Sequence, residues 1–342
     1  MPNPLKFANL WRVVRDVDLT ALRAAAQTPF RLVVVSETGD DAVRVRRVLS
    51  GEADAPHPWI EVAAASGGDV ATTTSRPLVA IIVTRDAKLS PALTAALQRF
   101  VAAGAPVLTV VAGDAAPMAA TPRPGEATRV VVAAIDSTAL EPIAQTLAEL
   151  AGDDLQLALA AQLPPMRRVV FSRTIERASR ANASFAFTTG LAETVPVLSA
   201  PLYLGDIIVL TKNQLMMCYR IALAAGKDAE PRALMGEIFG VLGGGMLFRQ
   251  AARSLVGLVP IIGLLPKVAI AYAGTQAIGR AMVAWTTEGR QVTREVVAHY
   301  SRESLEKGRA IAERLSKQQP LPAGTSRMAR LKAYLPGPRR SA

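Results

Sequence analysis

The chain is poor in the residues on which most enzyme chemistry is built. It holds one cysteine, Cys218, so no intrachain disulfide and no cysteine-cluster zinc site can form. That count fits a reducing cytosol. Its two histidines, His57 and His299, have no ligand-type neighbours at metal-binding spacing and stand far from any Ser or Cys nucleophile motif. No Gly-x-Ser-x-Gly occurs. Pro56-His57-Pro58 reads as an exposed loop. Aromatic residues make up 5% of the chain, and there is no base-stacking motif or basic-helix signature, which weighs against a nucleic-acid-binding protein. An apolar leader is also missing. Residues 1–30 read as an amphipathic helix carrying Arg12, Arg15 and Arg23.

What is present is length, apolar bulk and positive charge. A chain of 342 residues can build two cores, and 50% hydrophobic content, much of it alanine, excludes a disordered chain. The net charge of +11 is uneven. From Gln276 onward there are 13 Lys/Arg against 5 Asp/Glu, a net +8. Such an excess suits an anionic lipid surface, a nucleic acid or plain solubility.

The first half alternates β-branched runs with helical patterns. Residues 31–36, 59–62, 78–83, 106–111 and 129–133 read as buried strands. Residues 40–49 read as a helix with Val43, Val45, Val48 and Leu49 inward and Arg44, Arg46 and Arg47 outward. Residues 90–103 start at a Ser90 cap followed by Pro91. Residues 137–151 carry Leu140, Ile143, Leu147 and Leu150 on one face. This order predicts a mostly parallel sheet with helices on both faces.

The leader Asn9-Leu-Trp-Arg-Val-Val-Arg-Asp-Val-Asp-Leu19, the strand Pro29-Phe-Arg-Leu-Val-Val-Val35 and the helix end at Leu49-Ser-Gly51 resemble the Era-type branch of the small-GTPase fold. The resemblance implies a P-loop-NTPase-like (Ras-like) domain over 30–152, with 1–29 a leading helix. The residues needed for its chemistry are gone. A phosphate loop needs glycines for backbone donors, a lysine for the terminal phosphates and a hydroxyl for magnesium. Aligned with that motif, the two glycines are Ser36 and Asp41, the lysine is Ala42 and the hydroxyl residue is Val43. Glu37, Asp40 and Asp41 put negative charge where a polyanion would bind. The guanine-reading Asn-Lys-x-Asp becomes Val111-Ala-Gly-Asp114, with only Asp114 kept; a lone Asp there is chiefly a turn former. Ser-Ala-Lys becomes Ala133-Ala-Ile135. No Asp-x-x-Gly follows the second strand, and Gly67-Gly-Asp69 has the wrong order. Together these losses read as a pseudo-GTPase without a nucleotide, metal or other cofactor.

From Pro165 the character changes to apolar helices, giving an α/β then all-α chain with a helical domain over 165–317. Expected helices cover 167–181, 203–226, 233–248 and 287–317, with a Thr/Pro-rich connection over 182–201. The last helix has Val292, Val296, Tyr300, Ile311 and Leu315 as its apolar stripe. Pro201, Asp206 and Gln214, the Met216-Met217 pair, Gly226, the run Pro260-Ile-Ile-Gly-Leu-Leu-Pro266-Lys-Val-Ala and the stretch Gly274 to Gly279 resemble the helical family known as domain of unknown function 697. That resemblance implies association with GTPase modules and closeness to a membrane, and it carries no catalytic residue. Residues 255–273 match a bilayer in length. Lys267 inside the run, and Pro260 and Pro266 breaking its backbone ladder, favour a packed or interfacial hairpin over a spanning one. Leu255, Ile261, Ile262, Leu264, Leu265 and Lys267 are its candidate membrane or partner contacts. Beyond it, 318–342 reads as a basic, disordered tail. The expectation is a cytoplasmic scaffold or regulator that meets a membrane surface or a partner GTPase through its helices. The alternative is a GTPase-family enzyme with residual nucleotide binding.

Overall fold

The computed structural model describes residues 17–51, 56–67, 76–86, 88–113, 128–192, 199–241 and 264–318. The chain divides into two compact units. One comprises Asp18–Arg173 with Arg220–Pro231. The other holds, among its described residues, 17, 174–192, 199–219, 232–241 and 264–318.

The first unit is mixed α/β. After helix α1 (Leu19–Ala26) come β1 (Leu32–Ser36), α2 (Asp40–Ser50), β2 (Ile60–Ala64), β3 (Val79–Thr84), α3 (Pro91–Ala102), β4 (Val107–Ala112), β5 (Thr128–Val132) and α4 (Leu140–Gln162). All five strands are parallel in the order β2-β1-β3-β4-β5, with Leu32 level with Ile60 on one side and Val79 on the other. This is a doubly wound order. Alternation along the strands sorts the core into two layers. Leu32, Val34, Ile81 and Val110 pack with Ala42, Val45 and Leu49 of α2 and Ile143 and Leu147 of α4. Val33, Val35 and Ile82 face the other way, onto Leu93, Ala96 and Phe100 of α3. Burial on both faces is why these strands carry unbroken β-branched runs. Each fully buried Val or Leu contributes about 1.5–3 kcal/mol.

Local signals set the helix ends. Ser90 accepts the Leu93 N–H at 3.2 Å and Pro91 opens α3. Two details differ from the sequence pattern. Arg46, expected outward, is 8% exposed, while Arg44 and Arg47 remain outside. The helix expected over 137–151 starts with a 3-10 turn, Ser137–Ala139, and its continuation runs on to Gln162 through a break at Gly152 (φ 68°, ψ 176°). Only glycine adopts that backbone without cost.

In the second unit the described elements are helices. They lie within α5 (Arg167–Ala192), α6 (Ser199–Ala224), α7 (Pro231–Val241), α8 (Leu264–Glu288) and α9 (Arg294–Gln318). Helix α6 ends in a Schellman turn, Gly226 N–H donating to Leu223 O and Lys227 N–H to Ala222 O, with Gly226 at φ 85°. The Thr/Pro-rich connection is corrected. Residues 182–192 continue α5, and Pro201 lies in the first turn of α6, where a proline removes no intrahelical bond. The single last helix is also corrected. Thr287 and Glu288 end α8, Gly289 turns the chain at φ 65°, and α9 starts at Arg294.

The fully buried stripe of α9 is Val297, Ser301, Ser304, Leu305 and Ala312; the expected Val296, Tyr300, Ile311 and Leu315 are partly buried beside it, and Val292 precedes the helix. Small residues win that face because the backbones approach closely. A Cβ at Gly308 would stand 2.7 Å from Ala269 O. No described helix is long and apolar enough to cross a membrane. Leu255, Ile261, Ile262, the leader 1–16 and the tail 319–342 lie outside the described residues.

Candidate functional site

In doubly wound sheets, ligands bind outside the carboxyl ends of the strands where the order reverses. Here that point lies between β1, whose following helix α2 covers one face, and β3, whose following helix α3 covers the other. A cavity of about 390 Å³ opens there, walled by Ser36 to Thr38, Asp40, Asp41, Arg44, Val83 to Asp86 and Ser90. Ser36, Glu37, Thr38, Asp40 and Asp41, from the stretch aligned in sequence with a phosphate loop, line it.

The loop satisfies itself. Ser36 is buried, and its Oγ accepts the N–H groups of Gly39 and Ala42, each at 3.1 Å. Those amides lie where a phosphate loop would offer donors to an anion. Gly39, at φ 91°, makes the turn into α2 without a side-chain cap. Ala42 is fully buried in the core with Val45 and Leu49, so the lysine position carries neither charge nor reach. Val43 is half-buried one residue on. Asp114 lies outside the described residues.

Two side-chain links cross the cavity. Asp41 accepts Nε and one terminal N–H of Arg85, both at 2.7 Å, a bidentate pair, and Arg44 stands 3.7 Å away. The Arg85 hydrogen bonds hold the Asp41 carboxyl below the usual range against its partial burial, and the nearby positive charges of Arg85 and Arg44 add to this. Ser90 donates to Glu37 Oε2 at 2.5 Å, and Ser66 donates to the Glu37 carbonyl at 2.8 Å. Of the charged groups around the cavity, Glu37, Asp40, Asp41 and Asp86 outnumber Arg44 and Arg85. The field disfavours a polyanion. Among the described residues, no group of three or more His, Cys, Asp or Glu side chains is placed to hold a metal ion.

No family model, curated protein or solved structure matches the chain. A second candidate region lies in the helical unit.

There the motif residue Gln214 donates to Thr275 Oγ1 at 3.1 Å. Asn182 donates to the same oxygen at 2.9 Å and accepts from Asn213 at 2.8 Å, while Thr275 passes its proton to Ala271 O. Asn182 and Thr275 are fully buried. This polar layer ties α5, α6 and α8 together. A second cluster gathers on Glu176. Its Oε2 accepts from Tyr272 at 2.6 Å, Gln276 at 2.9 Å and Lys307 at 3.0 Å, and its Oε1 accepts from Arg180 at 2.6 Å. With both oxygens engaged by protein donors, Glu176 acts as a clamp between α5, α8 and α9. Lys267 is half-buried and reaches Thr189 Oγ1 at 3.5 Å. Pro201 and Asp206 lie within α6, and Leu264 and Leu265 within α8; their side chains are outside the described residues.

Sequence reasoning missed Arg85 and Ser90, which reach the loop from 44 and 53 residues away. It also missed Glu176, Asn182 and Thr275. The polar groups at 176, 179 and 182, three apart on an otherwise apolar face, were the one signal available for the layer.

Proposed function

We propose that this chain is a non-catalytic pseudo-GTPase, a scaffold or regulator whose α/β unit presents a surface and whose helical unit meets a membrane surface or a partner GTPase. The observation that carries the reading is Ser36 Oγ holding the Gly39 and Ala42 amides, the groups a phosphate would need. The acid-rich cavity and the buried Ala42 support it. The resemblances noted in the sequence supply the P-loop ancestry and the all-α character of the second half. Charge supports the membrane part. The α/β unit has 16 Lys/Arg against 18 Asp/Glu, while the rest of the chain has 23 against 10. A surplus confined to the helical half is what attraction to anionic lipid requires.

Titration with a fluorescent GTP analogue in magnesium tests the first part. No saturable binding up to high micromolar concentrations is expected. Micromolar binding would overturn the reading and favour the alternative, a GTPase-family enzyme with residual nucleotide binding. Flotation with neutral and anionic liposomes tests the second part. Retention on anionic vesicles, weakened by salt, is expected. Protein left at the bottom with both would remove the membrane clause.

A further inference from the structure

The opposite, amino end of the sheet holds a larger recess, about 590 Å³, that no part of the pseudo-GTPase reading uses. Its wall comes from the starts of three adjacent strands and from α4. Pro29, Phe30 and Arg31 lead into β1, Arg76, Pro77 and Leu78 into β3, and Pro106 into β4; Leu150, Ala151 and Leu155 complete it.

Three features give this recess a chemistry. Prolines 29, 77 and 106 bring no N–H, so the backbone at each supplies ring carbon and a carbonyl rather than a donor. The Pro106 carbonyl is itself taken by Ala80 N–H at 2.9 Å. The apolar wall is preformed. Phe30 is stacked on Trp59 with centroids 5.4 Å apart, and Leu78, Leu150, Ala151 and Leu155 are left half-buried against the core. The Gly152 break separates Leu150 and Ala151 from Leu155, and a Cβ at Gly152 would meet nothing within 4 Å. Both charged groups in the wall are guanidinium groups. Arg31 is paired with Glu61 at 3.3 Å, whereas Arg76 is exposed and lies over Gly104, where a Cβ would come within 3.8 Å of its terminal nitrogen. Asp153, beside the break, is within 3.5 Å of Gln156 and is not in the wall.

We infer that this recess binds an anionic amphiphile, a carboxylate head on Arg76 with an unbranched apolar chain along Leu78, Leu150 and Leu155. A cationic or purely polar molecule does not match it, since among the described residues the wall offers two guanidinium groups and no carboxylate. The same head-and-chain chemistry occurs in a free fatty acid and in a bilayer lipid. A recess of about 590 Å³ takes one short chain rather than a bilayer surface, so the ligand is the free acid.

The test is calorimetric titration of the full chain with monomeric decanoate, decyltrimethylammonium and anionic vesicles. Saturable decanoate binding is expected, with no binding of the ammonium. Arg76→Glu should weaken decanoate at least tenfold and Arg76→Lys less, while Leu155→Gln weakens it with the circular dichroism spectrum unchanged. Four results would overturn the inference: no saturable decanoate heat, equal binding of the two amphiphiles, an Arg76→Glu variant that binds as well as the parent, or binding to vesicles alone. None of them bears on nucleotide binding at the other end of the sheet.

Discussion

Replacing Gly308 with alanine offers a sharp test of the α8–α9 packing, because two effects of opposite sign meet at one atom. In an isolated helix the change is favourable by about 1 kcal/mol, since alanine gives up less backbone freedom. Here the new Cβ would stand 2.7 Å from Ala269 O, 3.2 Å from its Cα and 3.3 Å from its C, all tighter than ordinary contact. Those atoms are backbone and cannot rotate aside, so the helices must separate by roughly half an ångström or more. Overpacking of this kind costs about 1–3 kcal/mol, and a backbone obstacle places it near the upper end. The net expectation is a loss of about 2 kcal/mol. Gly240→Ala is the control. It lies exposed in α7 with nothing within 4 Å of its would-be Cβ, and should gain up to about 1 kcal/mol. Urea unfolding followed by far-ultraviolet circular dichroism reads both as midpoint shifts at constant slope. A Gly308→Ala protein as stable as the parent, or equal losses for both variants, would refute the close approach.

Other variants test the polar groups. Asn182→Leu leaves Asn213 Nδ2 without its acceptor and takes one of two donors from Thr275 Oγ1, and should cost about 1–3 kcal/mol; the loss in the double variant with Thr275→Val should be smaller than the sum of the two single losses, and strict additivity would show that the layer is not one network. Burial works to raise the Glu176 carboxyl, but the Tyr272, Arg180 and Lys307 hydrogen bonds outweigh it and set it below the usual range. Its contribution is therefore present at neutral pH and fades as pH falls through that lowered value. The stability gap between the parent and Glu176→Gln should close in acid, and a gap that stays constant from pH 7 to pH 3 would contradict the clamp. Asp41 has the same sign, but Arg85 is 58% exposed, so Asp41→Asn should cost no more than about 1 kcal/mol at pH 7; a loss above about 3 kcal/mol in denaturant titration would show that this pair holds the loop. The Cys218 thiol is fully buried and pushed up to about 12, so a native sample should resist thiol reagents that label the unfolded chain at once.

Much of the α/β unit was legible because a two-sided sheet leaves a dense signature. Runs such as Leu32–Ser36 and Val79–Thr84 have no solvent face to alternate with, and Ser90-Pro91 announces its own helix. The helix start after the first strand was equally readable, since Asp41, Ala42 and Val43 fall in the first turn of α2. The partners of that turn could not be read. Arg85 meets Asp41 only after β1 and β3 become neighbours, and no local pattern encodes that. Misreadings in the helical half have two causes. Thr188 and Thr189 bond back to Ser184 O and Phe185 O and so sit inside α5, although threonine there looked like a connection. On α9, close approach selected Gly308, Ser301 and Ser304 for the inner face over the larger Val296 and Tyr300.

The all-parallel sheet also bears on how the chain reaches its fold. No two of its five strands can be joined by a tight turn, so the sheet has no hairpin from which to start. The interior strand β1 gains both neighbours only once Val79–Thr84 has been synthesised. Until then β1 has at most one edge paired, against β2, and its other edge and apolar run stay open. Such topologies fold slowly, and their early forms aggregate readily. A fragment that stops short of β3 should need a chaperone to stay in solution, and slowing translation after Thr84 should favour recovery of the native protein.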